Sequence, residues 1–350
     1  MQIDFHHAVS YVAARLAGFN HTEADIIAYS AQYVDDAADS SCIRFSNDAH
    51  YQRISSAHKI VDLRNLDEIN NQLVWVPFHF LPGNCGMGQG QSPVGDFIIK
   101  FVCTGNSPVA RSMLSAAIQD NNKPYSLHRL GVTLHVYADT WAHQGFAGVI
   151  DDINRIDNAR ETGSREVIGD LQEFLCDIMD NSIMPLGHAC AQVFPDLPFL
   201  QWEYRNGWGH PVERNNTDLF CEAADFMCRA MQEYRKGRDP GVVVSGIGAG
   251  DMAVVRNLFE TLTQKEAGRR HSEWIEAVRK GLFSFGPERI SYDEDAWQDQ
   301  ALGMFDEEQG VYEYKGGFLS SNWKLFHDAL QLHHFTVLRD ILPAYGICAG

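Results

Sequence analysis

LHRLGVTLHVYADTWAHQGF, residues 127–146, is the stretch that decides how the rest of the chain must be arranged. It places His135, Asp139 and His143 at intervals of four. A helix turns about 100° per residue, so these side chains fall within about 80° of one another and spread over roughly 12 Å of axis. That span is too long for one ion to gather all three. An aspartate in the middle can instead bridge two cations, each flanked by a histidine, so the spacing points to a binuclear site. The adjacent face carries Leu127, Leu130, Leu134, Ala138 and Trp141 at the three-and-four spacing of a core stripe. The helix is therefore expected to be buried on two sides, with Ser126 capping its first turn and Gly145 ending it. Unpaired imidazoles and a carboxylate are costly in such a layer, and coordination to a cation satisfies them together. For any one histidine a hydrogen bond to a carbonyl is the plainer account; two histidines and an aspartate together at this spacing favour metal.

Working outward, 350 residues with 45% hydrophobic and 11% aromatic content can build a sizeable core, in one large domain or two ordinary ones. A net charge of −18 disfavours long nucleic acid, which needs clustered Lys and Arg, but is compatible with a phosphate ester held by buried cations. No run approaches the roughly 20 apolar residues that span a bilayer. The opening MQIDFHHAVSYVAARLAGF lacks the basic region and apolar core of a signal peptide, so a cytoplasmic protein is expected, with export lacking a cleaved signal left open. The eight cysteines include no C-x-x-C pair and are expected to be reduced thiols. Of the 15 histidines, His21, His50, His58, His210 and His271 sit in polar contexts and are expected to be solvated.

The N-terminal third supplies more polar residues in apolar company. Residues 4–17 form a helix with Phe5, Val9, Val12 and Leu16 inward and His6 and His7 in its opening turn. A second helix, 22–36, is expected to be capped by Thr22 with Asp25, and it ends in YVDDA. Asp35 and Asp36 there oppose the helix dipole unless a cation compensates. LVWVPFHFLPGN (73–84) is expected to be an extended edge segment, because Pro77 argues against a central strand; His79 would then point away from Phe78 and Phe80. The glycine-rich loop 83–95 lacks the context of a phosphate loop. Residues 97–103 form a short strand or helical turn, and Ser107-Pro108 opens a helix to about residue 120.

Beyond the central helix, 146–163 is an Asp- and Asn-rich surface loop that fits a calcium loop only in part. A helix over 165–184 is ended by Pro185. Then His188 follows a glycine in an apolar turn, and Asp196 lies between prolines and aromatics. A helix at 217–235 precedes the linker-like 236–250, whose GIGAG lacks the further glycine, acidic residue and βαβ unit of a dinucleotide site. Helices at 252–265, 269–282 and 320–340 follow; in the last, Trp323, Phe326, Leu330 and Val337 face the core, leaving His327, His333 and His334 partly exposed. The fold class is all-α: a multi-helix bundle with a buried metal cluster and few short extended segments. Residues 1–236 form the metal-binding core, with 237–350 packed on it as one domain.

The ordered set His6 or His7, Asp35 or Asp36, His79, His135, Asp139, His143 and His188 resembles the zinc-dependent phospholipase C and single-strand nuclease superfamily, over roughly residues 1–200. The resemblance implies an all-α fold with a three-zinc cluster at the bottom of a cleft. It puts one zinc on His79, His135 and a bridging Asp139, a second on His143 and His188, and a third on His6 with Asp35. Two departures stand out. The superfamily's third zinc also uses a free N-terminal amine, which the Met1 start does not offer, and the Glu expected four residues after His188 is Gln192, leaving a ligand missing or supplied by Asp196. The phrases DFHHAVSYVAARLAGF, YVDDA, FHFLPGN and HVYADTWAHQGF also look like a bacterial protein family to which no activity is attached.

The expected function is a metal-dependent phosphoric ester hydrolase, phospholipase C-like or a phosphodiesterase, acting on a small-molecule or lipid phosphoester. The divalent ion is zinc first, with iron or manganese also suiting mixed imidazole and carboxylate ligands. Asp35 or Asp36 would orient or deprotonate the attacking water. The alternatives are a histidine-aspartate-type iron phosphohydrolase or oxygenase, and a non-catalytic interaction protein with a structural metal.

Overall fold

In the computed structural model, which describes residues 1–57, 68–162, 186–191 and 193–348, the chain opens with a π-helical turn, Asp4–Val9, running directly into α1 (Ser10–Leu16). His6 and His7 both lie in that turn and both are buried. α2 (His21–Asp36) starts from a capping box two residues before the expected one. Asn20 accepts the Glu23 N–H and Glu23 accepts the Asn20 N–H, because Asn20 has the extended backbone a cap requires while Thr22 is already helical.

α3 (Glu68–Phe78) stands where the extended segment was expected. Pro77 is tolerated because it sits in the last turn, where its missing N–H frees the carbonyl of Leu73 alone. His333 Nε2 lies 3.0 Å from the carbonyl oxygen of Pro77 itself. His333 thus bonds the end of α3. His333 and His327 are buried rather than partly exposed, while His334 is half-buried.

A single turn, α4 (Ile98–Phe101), is followed by α5 (Pro108–Gln119), capped by Ser107 as the sequence indicates. α6 (Ser126–Ala142) is the central helix, and apart from Leu127 all of it is buried. Ser126 does not cap it: Tyr125 occupies the N-cap position and the Ser126 hydroxyl accepts from Arg238. Gly145, at φ +90°, turns the chain away just beyond its end. Gly131 lets α2 lie directly on α6, since a Cβ there would stand 2.4 Å from the carbonyl oxygen of Ile27.

The remaining long helices are α7 (Asn216–Lys236), α8 (Ala249–Thr261), α9 (Ala267–Arg279), the short α10 (Ala296–Ala301) and α11 (Asn322–Phe335), the last continuing as a π turn over Thr336–Ile341. The fold is mostly helical, about 52%, but not all-α: about 10% is strand in three small sheets. These antiparallel sheets pair β1 (Cys42–Arg44) with β2 (His50–Gln52), β3 (Asp157–Glu161) with β4 (Gln201–Arg205) and β4 with β5 (Pro211–Asn215), and β6 (Phe305–Asp306) with β7 (Val311–Tyr312). β4 has true period-two burial, Trp202 and Tyr204 inward, and β3 lies within the expected surface loop.

One core runs from the first turn into the C-terminal helices: the Phe5 ring meets Phe220 edge-on at 5.3 Å and stacks on Phe259 at 6.0 Å. A second gathers Tyr29, Tyr33, Trp297, Trp323 and Phe326. The GIGAG segment is fastened to α7 by the protein's own side chains. Gln232 accepts the N–H groups of Ser245 and Gly246, and Asp225 that of Ile247, so these amides face no external phosphate. No described helix is long and apolar enough to cross a membrane. The helix expected over 165–184, and the Gln192 and His58 readings, lie outside the described residues.

Candidate metal centre

The centre forms where α6, the end of α2, the residue after α3 and the N-terminal π turn meet. His135 on α6 directs Nδ1 at the Ala31 carbonyl of α2, 2.7 Å away. His79 directs Nε2 at the Ser56 carbonyl, 2.9 Å, and His143, at the C-cap of α6, directs Nδ1 at the His79 carbonyl, 2.8 Å. A carbonyl can only accept, so each of these nitrogens carries the ring proton. In a neutral imidazole the other nitrogen is then a bare lone pair.

Those lone pairs converge. His79 Nδ1 and His135 Nε2 lie 3.4 and 3.3 Å from Asp139 Oδ2, and 3.2 Å from each other. Acceptors facing acceptors repel. Donor atoms on one tetrahedral zinc, each about 2.0–2.1 Å from the metal, stand roughly 3.3 Å apart. The spacing that is unfavourable without a cation is the spacing a cation imposes.

The other Asp139 oxygen faces a different set. Oδ1 is 3.2 Å from Nε2 of His6, whose ring stacks on His135 at 3.8 Å and whose two nitrogens have no hydrogen-bond partner although fully buried. Oδ1 also accepts from the Met1 amino group at 2.7 Å, and that amine lies 3.2 Å from Asp196 Oδ1. The expectation that the Met1 start offers no amine to the site is thus corrected: in the structure the amine lies inside the cluster. Asp35, in the last turn of α2, puts Oδ1 at 3.7 Å from His135 Nε2 and 3.8 Å from His79 Nδ1, its side chain 31% exposed. On the far side, His188 Nε2 and His143 Nε2 lie 3.6 and 3.9 Å from the Asp196 carboxylate.

Three sets of potential ligands result: His6, Asp35 and His135; His79, His135 and Asp139; and His143, His188 and Asp196, each with donor atoms within 4.8 Å of one another. His135 has one free nitrogen and serves one cation, whichever set it joins. Asp196 lies beside His143 and His188, the pair that Gln192 was expected to leave a ligand short.

The electrostatics agree with ligands rather than acids. Burial raises the Asp139 carboxyl, but His143, the Met1 amine, His135 and His6 outweigh it and hold the group well below the usual range. Burial pushes His143 down to about 3, and burial together with His135 lowers His6, so both stay neutral. His135 moves the other way: burial lowers it, yet Asp139 and Asp35 raise it overall. A proton and a cation therefore compete for the same site.

His7 and Asp36 are not part of the centre. Adjacent helical residues diverge by about 100°, and His7 instead pairs Nδ1 with His271 Nε2 at 2.9 Å. His271, expected in solvent, is buried. Asp36 Oδ2 accepts from the Tyr292 hydroxyl and from Gln32 Nε2, and Asp36 belongs to none of the three ligand sets.

Sequence reading missed Arg214, which is buried on β5 and donates to the carbonyls of Trp141, Ala142 and Gln144 at 2.9–3.2 Å. It closes the helix end that carries Asp139 and His143. The carbonyls of Ala31, Ser56 and His79 were missed as well, and no residue type announces them. Phe80 stacks on His143 at 4.3 Å, whereas Phe78 and Trp141 belong to the core.

A family described as a family of unknown function (DUF6765) matches residues 1–341. No curated protein and no solved structure matches the chain.

Proposed function

Since the chain belongs to the DUF6765 family, whose description carries no activity, we propose from the geometry of the centre that it is a metal-dependent phosphoric ester hydrolase with zinc as its first-choice ion. The observation that carries the reading is the convergence of His79 Nδ1, His135 Nε2 and Asp139 Oδ2, with the opposite nitrogen of each ring committed to a carbonyl. Imidazole and carboxylate donors without a thiolate suit zinc, iron or manganese. Divalent cations in such a site supply Lewis acidity toward a phosphoryl oxygen and make water acidic enough to react near neutral pH.

The chain's own residues set what can bind. Asp35, Asp139 and Asp196 carry −3 in total, so two divalent cations, +4, leave the centre net positive and attract an anion. The charge of −18 over the whole chain repels a long polyanion. A small-molecule or lipid phosphoester satisfies both constraints. Asp139 is too enclosed to meet a substrate, whereas Asp35 and His188 have side chains 31% and 20% exposed and form the accessible edges. Asp35 is the carboxylate placed to orient an incoming water or accept its proton. A purely structural ion would want a closed shell, and these two open edges favour the catalytic reading.

The test is elemental analysis of the purified protein together with hydrolysis of bis-(p-nitrophenyl) phosphate, before and after chelation and in His135→Ala. Bound divalent metal and a hydrolysis rate that disappears with it are expected. Metal-free protein whose stability ignores chelator, or loaded protein without phosphoesterase activity, refutes the reading.

A further inference from the structure

The N-terminal part of the centre is gripped from the far end of the chain. Arg270, in the first turn of α9, is fully buried and uses all five of its N–H donors. Nε and Nη2 reach the Asp4 carboxylate at 2.6 and 3.3 Å, and Nη2 also reaches Gln2 Oε1 at 2.6 Å. Nη1 ties these groups to the carbonyls of Gln264 and Lys265, at 2.6 and 2.9 Å. The next residue, His271, bonds His7. Residues 2, 4 and 7 are therefore all held from α9 and the loop before it, and His6, between them, is the one turned toward Asp139.

A buried guanidinium–carboxylate pair is generally no more stabilising than apolar groups of the same volume, and its well-attested use is to fix register. Register matters here because the gripped segment is a π turn, a form rare in helices and sensitive to its surroundings. A slip of one residue would replace His6 by His7 or Phe5 against Asp139, with Phe5 torn from its place against Phe220 and Phe259.

We infer that Arg270 and His271 are positioning residues of the metal centre, acting through Gln2, Asp4 and His7 to aim His6 at the cation shared with Asp139 or Asp35. The inference rests on the metal reading above and gives the C-terminal region a part in the site. Residues outside the ligand shell that orient ligands typically alter metal affinity by roughly 10- to 100-fold.

The experiment uses the full chain, stripped with chelator and reloaded with zinc or cobalt. Zinc affinity is measured by competition with a chromophoric chelator, and the cobalt-loaded protein is examined by visible absorption. Asp4→Leu with Arg270→Met replaces the pair by apolar groups and leaves no unpaired buried charge. Expected are cooperative unfolding as in the unaltered chain, a roughly 10- to 100-fold weaker hold on the cation that His6 serves, and a changed cobalt spectrum. His271→Phe is expected to act in the same direction. Unaltered zinc affinity and cobalt spectrum in the folded double variant overturn the inference. Should the double variant fail to fold, the same null result in His271→Phe overturns it. A chain that takes up no metal before any substitution refutes the metal reading itself, and with it the clamp, a result distinguishable because no variant is needed to see it.

Discussion

If the centre holds a cation as proposed, stripping it should destabilise the whole fold. Three carboxylates and five imidazoles are packed into a centre whose free nitrogens face acceptors, so the empty form relies on the Met1 amine to offset the repulsion. An ion present at about a thousand times its Kd contributes about 4 kcal/mol to the folded state. Unfolding entropy of about 2.1 cal/mol/K per residue gives roughly 0.7 kcal/mol/K for a chain of this length. Chelation should therefore lower Tm by about 6 °C. The assay is differential scanning calorimetry with and without a strong chelator, with metal content checked on both samples. Asp139→Asn is the control: it keeps the shape, removes the charge that both halves of the centre share, and should abolish the chelator effect. Equal Tm in loaded and stripped protein would refute the reasoning.

Three further outcomes follow from contacts around the centre. Arg214→Met leaves the carbonyls of Trp141, Ala142 and Gln144 without their shared donor, and urea melts should show a loss of about 3–5 kcal/mol; a loss below about 1 kcal/mol would mean water replaces the guanidinium. Gly131→Ala drives a Cβ toward the Ile27 carbonyl and pushes α2 off α6, costing about 1–3 kcal/mol, and it should also weaken metal binding because Ala31 orients His135; full metal content in a destabilised variant would separate the two effects. Acid should unfold the protein early. Burial lowers His128 and His271 to about 4, and His327 and His333 to about 3. In the unfolded chain they titrate near their ordinary value of about 6.5, so above that pH both states are neutral and nothing changes. Below it the unfolded state binds protons that the folded state refuses, and stability falls by about 1.4 kcal/mol per pH unit for each histidine. Denaturant melts between pH about 7.5 and about 4.5 should show this slope; a flat profile would contradict it.

The divide between what the sequence carried and what it concealed follows the range of the interactions involved. His135, Asp139 and His143 were legible as one face because intervals of four map onto one face of a helix without outside help. The choices between His6 and His7, and between Asp35 and Asp36, were not legible, because neighbours a residue apart have the same local credentials. In the structure His7 and Asp36 bond instead to His271 and Tyr292, more than 250 positions away in sequence. α3 was misread for the same reason: Pro77 and the β-branched residues around it argue for an extended chain, and the carbonyl of Pro77 at the helix end is bonded by His333 from another helix.

This bears on how the centre works. A histidine's ligand nitrogen is fixed when its second nitrogen is committed elsewhere, and here Ala31, Ser56 and His79 commit three of them through backbone oxygens. Any side chain at those positions presents the same carbonyl, so the cage around the ligands leaves no mark on residue identity. What selection can act on is the placement of the segments that bring the carbonyls there. Gly131, which admits α2 to contact with α6, Arg214, which closes the end of α6, and Arg270, which anchors the first turn, are residues of that kind. They touch no cation, and the geometry of the centre depends on them as much as on the histidines.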